Sequence, residues 1–136
     1  MNNISIPATS CTPQVEFDFD GRTLSLAGES YPENAAAFYR PLITALENFM
    51  SAQPQGTGLP LTLHLALSYF NSSSTKMLFS LLSAVNDAAA AGSATTLHWY
   101  YDPEDDISEE FGQELSLDFP DITFHLNAGS YNDELK

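Results

Sequence analysis

The chain has 136 residues, with 18 acidic against four basic side chains, a net charge of −14, and hydrophobic and aromatic contents of 43% and 12%. That length suits one domain with its own core, and the apolar content excludes a disordered chain. So few bases exclude a nucleic-acid binder and an anionic membrane surface as partner, since both need clustered Lys or Arg.

The single cysteine, Cys11, permits no intramolecular disulfide and fits a reducing compartment. The negative charge reads first as a source of solubility and second as a preference for a basic protein partner. The start "MNNISIPATS" has neither the basic nor the apolar region of a signal peptide. No window approaches the ~20 apolar residues of a membrane span. The expectation is a cytoplasmic protein without membrane insertion.

Residues 1–14, with Pro7 and Pro13, read as an irregular arm. In "VEFDFD" (15–20), Val15, Phe17 and Phe19 alternate with acids, the period of a half-buried strand. "DG" at 20–21 signals a hairpin turn, and Leu24 and Leu26 continue the alternation, giving a hairpin over 15–28. "SYPEN" (30–34) is a turn into a helix, with Pro32 in its first turn and Ser30 or Asn34 as cap. Phe38, Leu42, Leu46 and Phe49 follow at helical spacing. Pro41 inside the pattern would kink the helix or mark its true start; the expectation is one helix with a local irregularity near residue 40.

"AQPQGTGLP" (52–60) is a loop, and "LTLHLALSYF" (61–70) a central strand with Leu61, Leu63, Leu65, Leu67 and Tyr69 on one face. From residue 73 Met77, Leu78, Leu81, Leu82 and Val85 set a helical stripe that Gly92 ends. "TTLHWYY" (95–101) is a strand. "DPEDDISEEFGQEL" is a helix capped by Asp102, with Pro103 first and acids in the first turn. "DITFHLN" (121–127) is the last strand, and 128–136 a frayed tail.

The order β-β-α-β-α-β-α-β predicts one mixed α/β domain over 15–127. It has a sheet of about five strands, with parallel crossovers and helices mainly on one face.

Asn71-Ser72-Ser73-Ser74 lies where a parallel strand's carboxyl end meets a helix start. In open α/β sheets that edge is the functional one. The helix's first N–H groups lack internal partners, so a phosphate or a phosphorylated hydroxyl is favoured there. Simple capping by Ser or Asn is the leading local explanation, although three serines exceed the needs of one cap.

A nucleophilic serine would require a base, and none of His64, His98 or His125 sits in a catalytic motif; there is also no G-x-S-x-G elbow or nucleotide-phosphate loop. Three histidines on neighbouring strands form a conceivable metal site, but the expectation is three half-exposed residues without contact. The acids Glu104, Asp105, Asp106, Glu109, Glu110 and Glu114 read as a solvated helix face, and "WYY" at 99–101 as core or rim.

"SYPEN" (30–34), "LSYFNSSSTK" (67–76) and "WYYDPEDD" (99–106), preceded by "IPATSCTP" (6–13), resemble in order and spacing the SiaC family of bacterial regulatory phosphoproteins. The resemblance spans about residues 4–120. It implies a fold like the STAS domains of anti-sigma-factor antagonists, no enzymatic activity and no cofactor or metal. It further implies phosphorylation by a SiaB-type kinase, dephosphorylation by a PP2C-like phosphatase of the SiaA type, and activation of a SiaD-type diguanylate cyclase by the unphosphorylated form. Cyclic di-GMP synthesis, and hence aggregation or biofilm, is the implied output.

The family's modified hydroxyl follows the Asn of its serine block, which is Ser72 here, with Ser73 as the alternative. Tyr69, Asn71, Ser73, Ser74, Lys76, Tyr31, Asn34, Tyr101 and Asp102 are then its surroundings and the partner-binding residues. An anti-sigma-factor antagonist in a partner-switching pathway is the alternative function.

Overall fold

A computed structural model describes residues 3–52, 60–90 and 92–129. The chain forms β1 (Ile4–Ile6), β2 (Gln14–Asp18), β3 (Thr23–Ser30), α1 (Ala35–Ala52), β4 (Leu61–Phe70), α2 (Ser72–Ala90), β5 (Thr95–Tyr101), α3 (Asp106–Asp118) and β6 (Thr123–Ala128). The six strands lie in the sheet in chain order. β1, β2 and β3 pair antiparallel, and β3 to β6 pair parallel. The mixed α/β expectation holds, with six strands rather than about five.

The register writes the alternation of each strand across the whole sheet. Phe17, Leu24, Leu63, Leu97 and Phe124 stand side by side, as do Val15, Leu26, Leu65, Trp99 and Leu126. Except for Leu126, which is exposed, these two rows form the floor of the core. Tyr39, Leu42, Leu46 and Phe49 of α1 cover it, with Leu78, Leu81, Leu82 and Val85 of α2 and Leu115 of α3. Fully burying one such side chain stabilises by roughly 1.5–3 kcal/mol. The opposite rows are polar. Asp18, Thr23, Thr62, Thr96 and Thr123 make one, and Glu16, Ser25, His64, His98 and His125 the next.

Local chemistry sets the joints. Arg22 takes a positive φ of 56° at the hairpin, Gly21 N–H donates to Asp18 Oδ1, and the Arg22 guanidinium lies over the Phe49 ring at 5.2 Å. Gly92, with φ 114°, follows the end of α2 as its sequence position requires. Residues 53–59 of the expected loop, and 130–136 of the expected tail, lie outside the described residues.

Four expectations need correction. The arm is not wholly irregular, because Ile4–Ile6 pair with Phe17, Glu16 and Val15 of β2. α1 is one helix as expected, but it runs through Pro41 without interruption, with the proline on the exposed side. Ser30 and Pro32 precede that helix, and Asn34 alone caps it, accepting from Ala37 N–H at 3.0 Å. α3 is capped by Asp105, which accepts from Ser108 N–H at 3.1 Å. Asp102 instead accepts from Glu104 N–H in the preceding turn.

α3 sits close to the sheet because Gly112 faces Trp99, whose indole N–H donates to the Ser108 carbonyl at 3.0 Å. A Cβ on Gly112 would fall 2.6 Å from Trp99 Cδ1 and 3.0 Å from Leu126 Cδ2. Gly112→Ala is therefore expected to destabilise by about 1–3 kcal/mol through overpacking. Urea unfolding followed by circular dichroism measures this; unchanged stability would show that α3 packs more loosely.

Candidate functional site

Helix α2 must begin at the carboxyl edge of the sheet because β4 ends two residues earlier, at Phe70. Its cap is Asn71, not a serine: Asn71 Oδ1 accepts from Ser74 N–H at 2.9 Å, and Asn71 O accepts from Thr75 N–H at 3.0 Å. Asn71 is itself tied to β3, since its N–H donates to the Ser30 carbonyl at 3.2 Å. One residue thus meets the helix's capping need, and the three serines are released for other roles.

Those roles differ by position. Ser74 is 0% exposed and belongs to a buried hydroxyl network. Ser30 Oγ is 2.8 Å from Ser74 Oγ and 2.6 Å from Tyr39 Oη. This network pins the ends of β3 and α2 to α1. Burial raises the Tyr39 pKa, partly offset by the Ser30 and Ser74 hydroxyls, so its phenol stays a neutral partner. Ser72 and Ser73 are exposed in the first helical turn. The Ser72 carbonyl accepts from the Thr75 hydroxyl at 2.7 Å.

The other expected site residues divide. Tyr31 and Tyr69, 39% and 52% exposed, meet edge to face at 5.4 Å between ring centroids. They form an aromatic pair at the ends of β3 and β4, beside Asn71. Desolvation, then the Glu29 carboxylate, raise the Tyr31 pKa. Lys76 is exposed one turn into α2, and Asn34 is spent on capping α1. Tyr101 and Asp102 belong to the end of β5 and its turn; the Tyr101 hydroxyl donates to Glu109 Oε2 at 3.4 Å, and its pKa is raised by desolvation and by that carboxylate.

The histidines overturn their expectation. His64 pairs with His98, and His98 with His125. Their rings stack at 5.0 Å between centroids in both pairs, 10° and 16° from parallel. His64 Nδ1 also lies 2.8 Å from the Tyr100 hydroxyl. Sequence gave each histidine its face; only the register placed them together. A metal bound through a ring nitrogen lies in the plane of that ring, and near-parallel stacked planes do not meet at one point. Among the described residues no group of three His, Cys, Asp or Glu side chains is placed to hold a metal ion.

The family model for the SiaC family of regulatory phosphoproteins matches residues 6–129. The chain belongs to that family. It is 32% identical over 123 residues to an uncharacterized protein of Pseudomonas aeruginosa, an alignment covering 88% of this chain and 94% of that protein. The structure is similar to apo-SiaC of P. aeruginosa, with TM-score 0.85, 31% identity and coverage of 94% of this chain and 100% of that one. It is also similar to the SiaC chain in the crystal structure of the diguanylate cyclase SiaD in complex with its activator SiaC, with TM-score 0.83, 31% identity and coverage of 92% and 98%. None of the described helices is long and apolar enough to cross a membrane.

Two outcomes follow from the site geometry. Ser74→Ala removes a buried network member and is expected to cost about 1–2 kcal/mol in urea unfolding, whereas Ser73→Ala, being exposed, should change little. Zinc titration by calorimetry is expected to show no one-to-one site; a site abolished by His98→Ala would contradict the ring geometry.

Proposed function

We propose that this protein is a non-enzymatic regulatory partner of a diguanylate cyclase, which it binds and activates while unphosphorylated, and that Ser72 is the reversible phosphorylation point. Membership of a regulatory phosphoprotein family supports the general role. The solved complex of a similar SiaC with SiaD supports the class of partner. The observation that carries the choice of residue is the division of labour at the start of α2: Asn71 caps, Ser74 is buried, and Ser72 is exposed where the helix N-terminus favours an anion. Ser73 shares that exposure and is the alternative target.

A phosphate adds roughly −1.5 to −2 charges at pH 7. On a chain already at −14, the added charge opposes an acidic or apolar partner surface. The exposed Tyr31–Tyr69 pair beside Asn71 has the composition of an interface anchor. A charge placed next to such a pair obstructs docking while the buried Ser30–Ser74–Tyr39 network keeps the fold intact. The phosphate therefore changes affinity for the partner rather than the stability of the domain, which gives the cyclase two states to distinguish. A SiaB-type kinase adds the phosphate and a PP2C-like phosphatase of the SiaA type removes it, in the cytoplasm. Cyclic di-GMP and biofilm or aggregation are the output.

Ser72→Ala is expected to bind a SiaD-type cyclase from the same source constitutively, and Ser72→Asp at least about tenfold more weakly. Affinity measured by surface plasmon resonance, with phosphopeptide mass spectrometry after co-expression with the kinase, checks both. Equal affinity of the two variants would defeat the switch. Capture of an anti-sigma kinase in place of a cyclase would favour the antagonist alternative.

A further inference from the structure

The pairing of β4 with β5 stops at Leu65↔Trp99, although β4 continues to Phe70 and β5 to Tyr101. β3 stays with β4 as far as Ser30↔Phe70, and β6 stays with β5 as far as Tyr101↔Ala128. The sheet therefore parts between β4 and β5 at the carboxyl edge. A cavity of about 570 Å³ opens there on the face without helices. That is within the range of small-ligand pockets.

The cavity exists because its floor is bare. Ala27 pairs with Ala66, and Gly28 follows at φ 125°, where a Cβ would be strained and would meet Pro13 Cα at 3.5 Å. One row away, Ser25, His64 and His98 fill the same face. Tyr100, 4% exposed, lines the side, and Asp102 and Asp105 line the rim. Each carboxylate uses Oδ1 to accept one backbone N–H, at 2.9 Å and 3.1 Å, and keeps further acceptor capacity on Oδ2. Among the described residues no Lys, Arg or His lines the cavity. An anion, a nucleotide included, finds no counter-charge there. A cation on an apolar stem finds two carboxylates, tyrosine rings and an alanine floor.

We propose that this cavity receives an arginine or lysine side chain of the bound protein partner. The assignment rests on the reading that a protein partner docks on this domain. Charge complementarity favours it, because the whole chain carries −14 and directs cations towards its surface.

The test uses the full chain with two variants and one free probe. Asp102→Asn keeps the Oδ1 acceptor and removes the charge; Ala66→Phe fills the floor. Both are expected to weaken binding of a SiaD-type cyclase by about tenfold or more, the wild-type affinity falling with added salt. n-Butylguanidinium, titrated while amide resonances are followed by NMR, is expected to shift those of Ala27, Ala66 and Tyr101 saturably, and not in Ala66→Phe. Wild-type affinity in either folded variant, or probe shifts confined to other residues, would overturn the assignment. If the wild-type chain binds no cyclase, the functional reading above fails by itself. The probe then decides the cavity alone: saturable shifts there support a cation site, and their absence removes it.

Discussion

The whole molecule depends on one topological constraint: from β3 onward every crossover steps to the next position in the same direction. A parallel crossover is right-handed in nearly all proteins. With the direction of travel fixed, that handedness puts each connecting helix on the same side. α1, α2 and α3 therefore share one face of the sheet, and the rows through Leu63 and Leu65 are buried beneath them. Among the described residues the other face receives no helix, so it can carry half-exposed threonines and histidines. Helix starts fall along one edge, where capping residues, exposed hydroxyls and strand ends come together.

Much of this was legible in the chain because periods are local. Strands β2 to β6 announce themselves by alternation, and the helices by spacing, as in Leu78, Leu81, Leu82 and Val85. β1 was not, since three residues before Pro7 are too few to show a period, and β2 alone gives them a partner. The cap of α3 was misplaced for a related reason. Asp102, Asp105 and Asp106 are chemically equal candidates, and only backbone geometry selects Asp105. Pro41 shows the limit of a propensity argument: packing of Tyr39, Leu42 and Leu46 outweighs one lost helical hydrogen bond.

The candidate site was legible in kind but not in detail. A serine-rich junction at a strand's carboxyl end pointed to phosphate from first principles, and the three sequence blocks pointed to the family. The sequence did not show that Asn71 spends itself on the cap or that Ser74 is buried against Ser30. The cap is local, but Asn71 and the serines beside it were equal candidates until the backbone geometry chose one; the second is a contact between segments far apart in the chain. The histidine row was invisible for the same reason: each residue's face is a local property, while register is a relation between strands.

The agreement between chain order and sheet order also bears on how the molecule assembles. No strand has to find its place between two strands already paired. Each new strand adds to an open edge left by the one before, directly for β2 and β3 and after a single intervening helix for β4, β5 and β6. The entropy of closing each loop is thus met once per step, and never across the whole chain. A nascent chain can lengthen its sheet in the order in which it is synthesised, with the serine-bearing edge built as soon as β4 docks on β3.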